Sequence, residues 1–173
     1  MGGKDKGLLD FRGEPLVAPV IRLAEASCDE IIISANRNLE AYRAFGHPVL
    51  PDSLPGVGPL AGVLTGLRLA RHPLLLVLPC DTPRLPGQLV NDLAAALEQS
   101  GADIAFPSAG GHNHHAIMLC RITACSGLET LIANGERRIG AWHASLNTVA
   151  VPFEEADAFT NVNSPAELAH AVG

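Results

Sequence analysis

The chain has 173 residues, of which 47% are hydrophobic, enough for one domain with a sizeable core but not for two. Its formal charge of -6, with no stripe dense in lysine or arginine, argues against duplex nucleic acid as the main partner, because such binding draws most of its affinity from neutralised phosphates. Apolar runs such as Leu74 to Leu78 fall far short of the ~20 residues that span a bilayer, and the N-terminus is no signal core, so a cytoplasmic protein without a membrane partner is expected. Cys28, Cys80, Cys120 and Cys125 are spaced too irregularly for a zinc ribbon or a C-x-x-C pair, and reduced, mostly buried thiols are the expectation.

The chain opens with Gly2-Gly3-Lys4-Asp5-Lys6-Gly7, whose backbone N–H groups could approach phosphates while a lysine supplies charge. No Ser or Thr follows the lysine as in a Walker A loop, and taken alone a flexible tail explains the segment better. A helix is expected over Pro15 to Ser27, with Leu16, Val20, Leu23 and Ala24 on one face and Pro15 at its first position. Strand-like runs follow at Glu30 to Ala35, Leu74 to Pro79, Asp103 to Ser108, Ala116 to Arg121 and Thr148 to Phe153, with a short extended Pro48 to Leu50. Most lack strict alternation, as strands covered on both faces do. Helices over Gly58 to Arg71 and Pro86 to Gln99 each begin near a proline, and Ser164-Pro165-Ala166-Glu167 is a capping box for a last helix. This alternation predicts an α/β three-layer domain with a mainly parallel sheet.

In such sheets ligands bind beyond the carboxyl ends of the strands. Asn36, Asp52 and Asp81 each follow an extended apolar run. Asp81 in Cys80-Asp81-Thr82-Pro83 suits magnesium, which takes one or two carboxylates plus phosphate and water oxygens, and it suits equally a helix N-cap or an Asx turn. Gly58 in Val57-Gly58-Pro59-Leu60-Ala61-Gly62 opens a helix that either faces a nucleotide or simply packs closely. Arg137 and Arg138 in a Gly135-Glu136-Arg137-Arg138 turn offer two guanidinium groups for a phosphate, although exposed arginines at turns are commonly only solvated. Asn161 and Asn163 either reach a ligand or shape the turn before the capping box, and His112, His114 and His115 lack the spacing of a helical metal pair.

Taken in order, MGGKDKGLL, ISANR, PDS, GPLAG, PCDTP, GERR and NVNSPAEL resemble the molybdenum cofactor guanylyltransferase family over nearly the whole chain. The resemblance implies one Rossmann-like nucleotidyltransferase domain over residues 1–173 that uses magnesium to transfer GMP from GTP to molybdopterin and releases pyrophosphate. It implies Lys6 as the phosphate-binding lysine, Asn36 and Asp52 as GTP-site residues, and Asp81 as the residue meeting both GTP and magnesium. Arg137, Arg138, Asn161 and Asn163 then belong to the molybdopterin side, and the receiving molybdoenzymes or their chaperones are implied as partners. The family pattern places a first strand, ending in a Leu-Ala-Gly-Gly turn and an arginine, ahead of the segment at Met1. Either the start is misassigned, the sequence is truncated or the protein is a degraded relative; if the chain starts at Met1, a sheet without that strand, a weakened grip on guanine and phosphate, and reduced stability are expected. His115 stands where relatives often carry proline, which leaves the role of His114 open. Two rival functions share much of this pattern: a molybdopterin cytidylyltransferase or other nucleotidyltransferase, and a weakly catalytic module that carries cofactor.

Overall fold

The computed structural model describes residues 5–54 and 56–162. Arg12 and Gly13 both have positive φ, 58° and 87°, the backbone sign that two-residue hairpin turns favour. They join β1 (Asp10–Phe11) antiparallel to β2 (Glu14–Pro15). This hairpin captures Pro15, so the first helix, α1, begins only at Ala18 and runs to Glu25, with Pro19 rather than Pro15 in its first turn. β3 (Ile33–Ser34), α2 (Leu39–Arg43) and β4 (Val49–Leu50) form a unit in which the two strands pair in parallel.

The rest of the chain builds a second sheet. α3 (Pro59–Leu69), β5 (Leu74–Val77), α4 (Leu89–Ser100) and β6 (Ile104–Ala109) alternate as expected. Gly110 and Gly111, at φ 58° and 77°, then reverse the chain in two residues into β7 (His112–Asn113). That reversal sends β8 (Met118–Arg121) antiparallel between β5 and β6. The sheet is therefore mixed: β5, β6 and β9 (Thr148–Phe153) run one way, and β7 and β8 the other. α5 (Cys125–Ala133) and α6 (Ile139–His143) lie between β8 and β9 in sequence.

Period-two alternation in the strands divides the core into two layers. Ile104, Phe106, Met118 and Cys120 pack with Leu60 and Leu64 of α3, Leu128 of α5 and Trp142 of α6. Ala105, Ala109, Ile117 and Leu119 turn to the other face, against Leu89, Leu93 and Leu97 of α4. Spacing of four residues along α4 explains why one side of that helix is fully buried. A third cluster, Val17, Ile21, Ile33, Tyr42 and Val49, gathers α1 onto the β3–β4 pair.

Among the described residues β3 and β5 belong to separate sheets. Between them lies a cavity of about 860 Å³ with Ile31, Ile32 and Ile33 on one wall and Leu74 to Leu78 on the other. This corrects the expectation that the Leu74 run is covered on both faces: Leu74 is 37% exposed, and Leu75 to Val77 are half-buried.

Leu93 of α4 is completely buried. Leu93→Ala is expected to lower the unfolding free energy in urea by about 2–5 kcal/mol, whereas Glu98→Ala on the exposed face of the same helix should shift it by no more than about 0.5 kcal/mol.

Candidate active site

Val77 at the end of β5 pairs with Met118 at the start of β8, so the carboxyl ends of β5, β6 and β9 share one edge with the loop that carries His114 and His115. At that edge the chain leaves β5 through Pro79 and Cys80 and delivers Asp81, which is 8% exposed. Among the described residues its carboxylate caps no helix. Instead Lys6, 75 positions earlier, donates from Nζ to Asp81 Oδ2 at 2.8 Å. The Val162 N–H donates to the Asp81 carbonyl at 2.8 Å, which brings Asn161 beside the same strand end. Thr82 Oγ1 donates to the Pro79 carbonyl at 3.2 Å and fixes the turn.

A second group forms where β3 and β4 end. Ser34 Oγ donates to Asp52 Oδ1 at 2.6 Å and Asn36 Nδ2 to Asp52 Oδ2 at 2.8 Å, while the Asp52 N–H donates back to Asn36 Oδ1 at 3.0 Å. Parallel pairing of β3 with β4 sets this register. Gly58, exposed and at φ 74°, starts α3, whose first turn packs here: a Cβ added to Gly62 would lie 3.5 Å from Asp52 Oδ1 and 3.6 Å from Ser34 Oγ. The amino end of α3, with its partial positive charge, thus sits by the Asp52 carboxylate. Ser34 of the second group and Asp81 and Asn161 of the first line the cavity between the two sheets, whereas Lys6, Asn36 and Asp52 do not.

Arg137 and Arg138 are placed differently. Glu136 folds back on them, accepting from both backbone N–H groups at 2.9 Å and from Arg138 Nη2 at 3.0 Å. The Arg138 guanidinium and these N–H groups hold the Glu136 carboxyl down at about 2. Both arginines are exposed, and the neighbouring Ile139 lines the cavity while they do not. Asn163 and the capping box at 164–167 lie outside the described residues.

Histidines form an unforeseen pair on the same edge. His115 Nδ1 and His143 Nδ1 are 2.8 Å apart, so one ring must donate and the other accept. Phe106 packs on both rings, at 4.6 and 5.2 Å between centroids, and His143 Nε2 lies 3.4 Å from Met118 Sδ. Burial, then the charge of His115, pushes His143 down to about 4, and burial also lowers His115 and His114. The paired nitrogens face each other, and among the described residues no three His, Cys, Asp or Glu side chains converge on a metal position. All four cysteines are free thiols, and only Cys120 is fully buried. Burial raises Cys80 to about 11 and Cys120 to about 12.

Ser34, Tyr42, Asp5 and the histidine pair escape sequence reasoning, because each gains its role from a partner distant in the chain. The available signals were the serine inside ISANR and the presence of only one tyrosine.

Residues 1–149 match the model of the MobA-like NTP transferase domain. A molybdenum cofactor guanylyltransferase of Cupriavidus metallidurans is 42% identical over 97% of this chain and 86% of its own length. The protein of that name from Shewanella amazonensis is 39% identical, over 97% and 87%. In fold, the crystal structure of molybdopterin-guanine dinucleotide biosynthesis protein A from Archaeoglobus fulgidus superposes with a TM-score of 0.79 at 22% identity, covering 98% of this chain and 89% of that one. A 2-C-methyl-D-erythritol 4-phosphate cytidylyltransferase from Thermus thermophilus gives 0.76 at 16%, covering 96% and 92%. These solved neighbours show a Rossmann-like α/β fold.

His143 stays neutral in the folded protein down to about pH 4, whereas in the unfolded chain it titrates near 6.5. Between those values the unfolded state binds more protons, so stability falls as the pH drops. Urea unfolding at pH 5 should give a free energy on the order of 2 kcal/mol below that at pH 7 from this group, and His143→Gln should flatten much of the slope.

Proposed function

Because the chain belongs to the molybdenum cofactor guanylyltransferase family, we propose that it transfers GMP from GTP to molybdopterin and releases pyrophosphate. The observation that carries this reading is the contact of Lys6 with the buried Asp81 at the carboxyl end of β5, next to a cavity shared with Ser34 and Asn161. A lysine and a carboxylate at that edge are what a polyphosphate and its counter-ion need: a point positive charge for phosphate oxygens, and a hard oxygen ligand.

The terminal phosphate of molybdopterin attacks the α-phosphorus of GTP in line. A new phosphorus–oxygen bond forms as the bond to the β-phosphate oxygen breaks, and the electron pair leaves with pyrophosphate. The attacking phosphate is already ionised, so no general base is required and no covalent enzyme intermediate forms. The protein acts by positioning and charge neutralisation. Lys6 holds phosphate oxygens. Asn36 and Asp52, fixed to each other and to Ser34, receive the nucleoside end of GTP, with Gly58 and the start of α3 beside them. Family resemblance assigns Asn161, on the cavity, and the exposed Arg137 and Arg138, outside its wall, to molybdopterin, with Asn163 following Asn161 in sequence.

Asp81 fits magnesium of the kind held mostly by substrate phosphates and water, since it is a buried carboxylate and, among the described residues, no three His, Cys, Asp or Glu side chains gather around it. When bound there, the ion neutralises charge on the phosphates.

Calorimetric titration of the chain with GTP and with CTP, each with magnesium, tests the reading. Tighter binding of GTP is expected, and equal or preferential binding of CTP would transfer the assignment to a cytidylyltransferase. Asp81→Asn, which keeps the shape and removes the charge, should weaken magnesium-dependent GTP binding by about tenfold or more, corresponding to roughly 1.4 kcal/mol. Unchanged affinity would remove Asp81 from the site.

A further inference from the structure

Lys6 stands on a short segment whose other side chains are engaged elsewhere, and those contacts converge on one residue. Tyr42 is 5% exposed and sits in the cluster formed by Val17, Ile21, Ile33 and Val49. Its hydroxyl donates to Asp5 Oδ1 at 2.6 Å, and Asn38 Nδ2 donates to Asp5 Oδ2 at 3.2 Å. Asn38 takes the left-handed conformation just before α2, φ 49° and ψ 36°. On the far side of Lys6, Gly7 presses against the same tyrosine: a Cβ there would lie 2.5 Å from Tyr42 Oη, and 3.3 Å from Cβ of Cys80, the residue before Asp81. The Val17 N–H donates to the Gly7 carbonyl at 3.0 Å. Residues 5 and 7 are thus both fixed against Tyr42, which leaves the side chain of Lys6 directed at Asp81.

We infer that Tyr42 is a positioning residue for phosphate binding: its hydroxyl, through Asp5, holds the segment from which Lys6 reaches the phosphates. This rests on the role given to Lys6 above. The chemistry suits the task. A hydroxyl donating to a carboxylate forms a short, charge-assisted bond, and the aromatic ring anchors it in a packed cluster, so the tether is stiff at both ends. Burial, reinforced by the Asp5 carboxylate, raises the phenol well above its usual range, so it stays a donor throughout neutral pH.

The test measures GTP dissociation constants with magnesium for the full chain, Tyr42→Phe, Lys6→Met and the double variant. Tyr42→Phe keeps the ring and removes only the donor. It is expected to weaken GTP about tenfold in the parent chain and to add nothing in the Lys6→Met background, because the effect passes through Lys6. Asp5→Asn, which weakens the acceptor of the same bond, should reproduce the loss if Tyr42→Phe does not fold. Unchanged GTP affinity in Tyr42→Phe, or the same loss with and without Lys6, overturns the inference while leaving the role of Lys6 intact. Unchanged affinity in Lys6→Met overturns that role and the inference with it.

Discussion

The contact between Lys6 and Asp81 joins parts of the chain that no local preference would bring together. One partner comes from a glycine-rich segment near the start, the other from the turn after β5, and 75 positions separate them. The lysine side chain keeps 34% of its exposure, and exposed or half-exposed ion pairs are worth only about 0–1 kcal/mol. A single buried leucine of α4 outweighs that several-fold. The pair therefore does little for stability; it sets two opposite charges at the carboxyl end of β5, and the surrounding fold keeps them there.

Two devices do the holding. Behind Asp81, the pairing of β5 with β8 and the Val162 N–H on the Asp81 carbonyl fix the backbone. Behind Lys6, Tyr42 and Asn38 grip Asp5 while Gly7 lies against the tyrosine ring. The second group, Asn36, Asp52 and Ser34, is braced by the parallel pairing of β3 with β4 and by the first turn of α3. The two groups come from separate sheets, and Ser34 of one and Asp81 of the other line the cavity between them.

The histidine pair illustrates a different use of burial. His143 is sealed under Phe106 and Trp142, and its hydrogen bond to His115 ties α6 to the loop before β8. Two imidazoles that share one hydrogen bond cannot both be cationic without repulsion, so burial and pairing act in the same direction. Arg138 stands at the start of that short helix, and its guanidinium is taken up by Glu136.

By itself the sequence determined the alternation of strands and helices, the near-complete extents of Thr148 to Phe153 and of the helix after Gly58, and the placing of Asn36, Asp52 and Asp81 just past extended runs. These are local properties: apolar periodicity, proline at helix starts and polar residues at strand ends each act within a few positions. Pro15 was misplaced because the Arg12-Gly13 turn drew it into a hairpin, and the mixed direction of the sheet follows from the Gly110-Gly111 turn, whose effect on strand order reaches well beyond its neighbours. The ordered motifs carried the family, but not the partners of their residues. Only the tertiary structure decided that Lys6 meets Asp81, that Tyr42 reaches Asp5, that His115 pairs with His143, and that Arg137 and Arg138 stay outside the cavity wall. Each of those depends on packing that brings distant segments within 3 Å or keeps them apart, and no pattern along the chain encodes such a distance.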